Sequence, residues 1–99
     1  MTSILYSTDS RIDLVEIWEY VAETQCRPVV ASRLIDRIVS AIDRLGSHPR
    51  VGTDFSHRSP GVRAVVVGSY VVYHRYENDC VIVLRVLHGA RDAGSILEN

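Results

Sequence analysis

Leu14, Ile17, Trp18 and Val21 recur at i, i+3, i+4 and i+7, the spacing of one helical face, while Glu16, Glu19 and Glu23 fall on the other side. The pattern predicts an acidic amphipathic helix with Trp18 in its core stripe. Before it, Ser3 to Tyr6 is a short β-prone run. Ser7 can accept hydrogen bonds from the free amides of a first helical turn, so the helix is expected to begin there. A second periodic stretch holds Val30, Ala31, Leu34, Ile35, Ile38, Ala41, Ile42 and Leu45. Pro28 suits its first turn, where a missing amide costs nothing, and Gly46 is expected to end it by turning left-handed. The short joint from Thr24 to Arg27 predicts an antiparallel pair of helices, with Arg33, Arg37 and Arg44 facing the acidic one.

After Gly46 the period changes. Ser47 to Gly61 contains Pro49 and Pro60 and few aliphatics, and reads as an ordered, irregular connection. Val62 to Val67, Tyr70 to Tyr76 and Cys80 to His88 are rich in Val, Ile and Tyr and read as strands. Gly68-Ser69 and Glu77-Asn78-Asp79 supply the turns between them. The expectation is a single α+β domain over residues 1–99: an N-terminal strand, an antiparallel helical hairpin packed on an antiparallel β-sheet, and a short C-terminal helix or tail from Gly89. Tyr6, Tyr70, Tyr73 and Tyr76 alternate between sheet faces, and a face left uncovered by the helices would require a partner.

Composition narrows the function. The chain is 46% hydrophobic and 23% charged, which excludes intrinsic disorder. Eleven basic against twelve acidic residues leave a net charge of −1, unsuited to non-specific binding of nucleic acid or anionic membrane. Every basic residue is Arg, so each fixed positive charge can grip a carboxylate or phosphate but cannot act as a base near neutrality. Cys26 and Cys80 form no C-x-x-C pair and no secretory leader pattern opens the chain, which points to the cytoplasm. The apolar runs are far too short for a membrane crossing. His48, His57, His74 and His88 show no metal-ligand spacing, the glycines make no phosphate loop, and no G-x-S-x-G elbow occurs, so no metal or cofactor is expected.

What remains is basic and aromatic. Arg50, Arg58 and Arg63, with His48 and His57, form one local positive excess, and Arg75, Arg85, His88 and Arg91 form another. Singly, such arginines are solvated partners of carboxylates such as Asp54, Glu77 and Asp79. Arg63 and Arg85 lie between apolar strand neighbours, and Arg85 is expected in a structural pair. His88 closes the last strand and Arg91 follows three residues later, so both can point into one concavity. In a ribonuclease, Arg63 and Arg91 would hold the scissile phosphate while His88 transfers protons. Otherwise His88 caps the strand end.

Asp13-Leu14 with Ile17 and Tyr20, Ile42 with Leu45, Pro49 and Gly52, Pro60-Gly61-Val62-Arg63, Tyr70 with Tyr73, and Arg85-Val86-Leu87-His88-Gly89-Ala90-Arg91-Asp92 occur in this order. The ordered set resembles the RelE/ParE superfamily of toxins from type II toxin-antitoxin systems, some of which serve plasmid stabilisation. The resemblance implies a bacterial toxin neutralised by a cognate antitoxin, touching DNA only indirectly through it. One branch of the superfamily cuts messenger RNA on the ribosome; the ParE-like branch blocks DNA gyrase without a recognised catalytic centre. This chain has no Lys and no Tyr after Tyr76, whereas the ribosome-dependent nucleases resemble one another in both. The resemblance therefore points to the ParE-like branch and implies DNA gyrase as target, no catalytic residues, and Arg63, Tyr73, Arg85, His88 and Arg91 as partner-binding residues. The alternatives are a nuclease using Arg63, His88 and Arg91, and an inactive partner-binding member of the fold.

Overall fold

In the computed structural model, which describes residues 2–91 and 96–97, the first strand β1 (Ser3–Tyr6) runs directly into helix α1 (Thr8–Glu19). Ser7 makes the junction: its Oγ accepts from the Ser10 amide at 3.0 Å, filling one of the orphan donors of the first turn. After Glu19 the helix does not stop. It widens into a π-helical turn, Tyr20–Thr24, and Cys26, with φ at 55°, reverses the chain so that the Arg27 amide returns to the Val21 carbonyl at 3.0 Å. Helix α2 (Pro28–Arg44) then starts with proline in its first turn.

Helix α2 buries Ala31, Ile38, Ala41 and Ile42, as its period predicts. Its end differs from expectation. Gly46 is not left-handed; the helix tightens through bonds from Leu45 to Ile42 and from Gly46 to Asp43. A side chain at Gly46 would stand 3.3 Å from the Asp43 carbonyl and 3.6 Å from Ile4, so the glycine serves close approach of β1. Arg37 and Arg44 also depart from expectation: they line a groove with Val65 to Gly68, away from α1.

The remaining strands are β2 (Thr53–Asp54), β3 (Val62–Val67), β4 (Tyr70–Glu77) and β5 (Cys80–His88). They form one sheet in the order β1-β5-β4-β3-β2. The expected antiparallel sheet is in fact mixed, since β1 pairs in parallel with β5. The helical hairpin carries the chain back across the sheet before β2, which is what a parallel neighbour requires. Gly68, at φ 60°, makes the two-residue β3–β4 turn, and Asn78 and Asp79, at 53° and 56°, make the β4–β5 turn in the primed geometry that suits strand twist.

Ile17, Ile38, Ala41, Ile42, Val67, Val72, Val83 and Val86 form the core between helices and sheet. On the opposite face Val62, Tyr73 and Leu87 are buried, with Phe55, Ile96 and Leu97 packed over them, so this face is partly roofed by the chain itself. Ile96 and Leu97 are helical, and the rest of the C-terminal expectation, residues 92–95 and 98–99, lies outside the described residues. Trp18 is a correction: it is 38% exposed. The inward stripe of α1 is Ser10, Asp13 and Ile17, continued by Val21, and two of its members are polar because β5 and the helix cap offer them backbone partners.

Candidate functional site

The last strand is interrupted where the helix meets it. Tyr73 pairs with Arg85 but His74 pairs with Val83, so Leu84 is passed over as a β-bulge. A bulge frees backbone groups, and α1 takes them up. Ser7 Oγ donates to the Leu84 carbonyl at 2.8 Å, and the Val86 amide donates to Asp13 Oδ2 at 2.9 Å. The same carboxylate receives Arg85 Nε and Nη2, each at 2.8 Å, in a two-pronged pair. Asp13 is 5% exposed, so these three bonds replace its water. The hydrogen bond to Asp13 raises the Arg85 pKa further, with the charges of Asp13, Asp9 and Glu16 acting in the same sense and desolvation against it.

Beyond the bulge β5 resumes and ends at His88, opposite Tyr70. Their rings meet edge to face at 5.5 Å between centroids. His88 Nδ1 accepts the Ala90 amide at 3.2 Å and the His88 carbonyl accepts the Arg91 amide at 3.0 Å, so the chain curls back over the strand end. His88 and Arg91 thereby line one cleft of about 140 Å³ with Asp13, Glu16, Tyr20 and Tyr70. Tyr20, Tyr70 and His88 also line a neighbouring groove of about 540 Å³ that reaches Gln25, Val30 and Leu34. Burial raises the Tyr70 pKa, and Tyr20 adds to the effect. Tyr20 comes from the π-helical turn, a distortion that recurs at functional sites. With Nδ1 accepting, the imidazole proton sits on Nε2, and the cleft presents that donor beside a guanidinium and two phenols.

Arg63 lies elsewhere. On β3 it stands opposite His74, four ladder positions from the Tyr70–His88 pair and two strands away from β5, which separates it from His88 by on the order of 15 Å. Its Nη1 donates to the Gly52 carbonyl at 3.2 Å. His74 is fully buried beside it, with neither ring nitrogen hydrogen-bonded. Burial pushes the His74 pKa down, the Val51 carbonyl opposes this, and the Arg63 cation adds to it. Tyr73 is buried on the opposite sheet face, edge-on to Phe55 at 5.3 Å.

Of the expected site residues, the structure thus joins His88 and Arg91, ties Arg85 to Asp13, and sets Arg63 and Tyr73 apart. Asp13, Tyr20 and Tyr70 were not among the expected site residues. The signal for Asp13 was its place in the inward stripe of α1, one turn before Ile17. Among the described residues no group of three or more His, Cys, Asp or Glu could hold a metal ion, and no helix is long and apolar enough to cross a membrane.

Residues 4–93 match the family described as ParE toxin of type II toxin-antitoxin system, parDE. Toxin ParE3 of Caulobacter vibrioides is 40% identical over 60 residues, which span 61% of this chain and 60% of that toxin. Toxin ParE1 of Mycobacterium tuberculosis is 30% identical over 89 residues, spanning 89% of this chain and 90% of that one. The fold is similar to that of a chain in the chromosomal ParDE system from P. aeruginosa, with a TM-score of 0.76 at 20% identity, covering 89% of this chain and 96% of the other. It is also similar to a chain of the toxin-antitoxin complex RelBE2 from Mycobacterium tuberculosis, with a TM-score of 0.60 at 20% identity, covering 88% and 96%. With the family match spanning nearly all of the fold just described, the chain belongs to the ParE toxins of type II toxin-antitoxin systems.

Proposed function

We propose that this toxin arrests DNA gyrase by binding it, without cutting nucleic acid, and that a cognate antitoxin neutralises it in the cytoplasm. One observation carries the reading: the arginines that a phosphate-cleaving centre would draw on do not converge. Arg85 is held by Asp13, and Arg63 is hydrogen-bonded to the Gly52 carbonyl far from the His88 and Arg91 cleft. A nuclease needs a proton-transfer group and cations around one phosphate, in contact at the same moment. The absence of lysine removes the other side chain that could supply a base from this set.

A second reading is kept by one observation, that His88 and Arg91 share a cleft with two tyrosines. There a ribosome-bound transcript would be the substrate, with His88 transferring a proton and Arg91 steadying the phosphate. The two readings part in a paired assay on the purified chain. The gyrase reading expects loss of supercoiling of relaxed plasmid and intact ribosome-bound messenger RNA. Cleaved transcripts with unimpaired supercoiling would overturn it.

A further inference from the structure

The face of α1 turned away from the sheet carries Ile12, Val15 and Trp18, which are 49%, 57% and 38% exposed. A surface helix ordinarily turns polar residues to that side. Here Arg11, Ile12, Val15, Glu16 and Glu19 line a shallow depression instead. Nothing in the fold of one chain covers it.

The order of side chains on this face is symmetric about Val15. Ile12 and Trp18 lie three residues to either side, and Arg11 and Glu19 lie four to either side with opposite charge. Offsets of three and four keep all five on one helical face. A two-fold axis through Val15 that sets this helix antiparallel to a second copy brings each residue against its counterpart across the centre. Arg11 then meets the partner's Glu19 twice, Ile12 meets the partner's Trp18 twice, and Val15 packs on the partner's Val15. Parallel alignment would instead set Arg11 against the partner's Arg11. The face is its own complement in charge and in apolar placement.

We propose that this chain self-associates through α1 as an antiparallel two-fold dimer. The contact is one helix of 12 residues on another, which belongs to the small, weak class of interfaces, so the dimer forms reversibly in the micromolar range. The proposal does not depend on the gyrase reading.

Sedimentation of the purified full-length chain tests it. The mass is expected to rise with concentration from 11.1 kDa towards twice that value. Arg11→Glu and Glu19→Arg, each alone, set like charges together and weaken self-association about tenfold or more, and the double exchange restores it. That rescue separates an interface from a folding defect, because a damaged fold is not repaired by a second reversal. Val15→Asp, at an exposed position, is expected to give a monomer with unchanged circular dichroism. A chain that stays monomeric at every concentration overturns the proposal, and so does a dimer indifferent to the single reversals. If the reversals instead weaken antitoxin binding by a monomeric toxin, this face belongs to the antitoxin and the proposal fails.

Discussion

Asp13 and His74 are the buried ionisable groups of this domain, and they are treated in opposite ways. Asp13 has three hydrogen bonds and a cation; His74 has neither ring nitrogen paired. Removing one partner of a buried pair strands the other, so Asp13→Ala is expected to cost about 3–5 kcal/mol in urea unfolding. Asp13→Asn, which keeps an acceptor for the Val86 amide, is expected to cost less. His74 contributes a pH dependence. Its pKa is depressed in the folded chain by burial, so below its ordinary value of about 6.5 the unfolded chain binds the proton and the folded one does not. Stability is therefore expected to be level above about pH 7 and to fall as the pH drops through 6.5. The midpoint of urea unfolding, followed from pH 8 to 5, would show the slope, and His74→Phe would lose that part of it. A midpoint that fell equally in both proteins would assign the slope to other groups. Neither role was legible in the sequence: an aspartate at an inward helical position and a histidine between valine-rich strands declare themselves only through what faces them.

At the scale of elements, the junction of β1, α1 and β5 is built around one inserted residue. Leu84 bulges, Ser7 takes its carbonyl, and Asp13 takes the next free amide. Ser7→Ala removes both the cap on Ser10 and the tie to Leu84, and is expected to cost about 1–2 kcal/mol, measurable as a lowered unfolding midpoint. Gly52 makes a second junction. At φ 101° its hydrogen takes the place where a Cβ would lie 2.6 Å from the Ala64 carbonyl, so Gly52→Ala must displace the connection that also supplies the carbonyl bound by Arg63. The helices and hairpins were readable because each rests on local chemistry: a period near 3.6, Pro28 at a helix start, and Gly68 or Asn78 where φ must be positive. The parallel sense of β1 was not readable, since a four-residue strand carries no local mark of direction and its place is set by Ser7 reaching Leu84. For the same reason His88 and Arg91 could be joined from their separation alone, whereas Tyr20 and Tyr70 reach that cleft from distant parts of the chain.

Across the whole molecule the sheet ends differently on its two sides. On one side β1 lies along β5, while on the other β2 covers β3 only at Arg63 and Ala64. The Phe55 amide donates to the Val62 carbonyl, so Val62, Ala64 and, by alternation, Val66 turn their backbone groups outward. Val66 lies past the end of β2 and is 70% exposed, which leaves an open edge of the kind that an extended segment completes. Beside that edge Arg37 and Arg44 of α2 line a groove of about 430 Å³, so a strand bearing carboxylates towards α2 fits both its hydrogen-bonding and its charge. If the antitoxin of the proposed system uses this edge, Val66→Pro removes the outward amide without touching the His88 and Arg91 cleft. Antitoxin affinity measured by calorimetry is then expected to fall about tenfold or more, and further as salt rises. Inhibition of supercoiling by the free toxin is expected to stay as it was, because the substitution lies on the outermost long strand, away from β5. A variant that bound antitoxin normally would place neutralisation on another surface. A variant that lost both activities would mean that antitoxin and target compete for this one edge, which makes neutralisation a matter of direct exclusion.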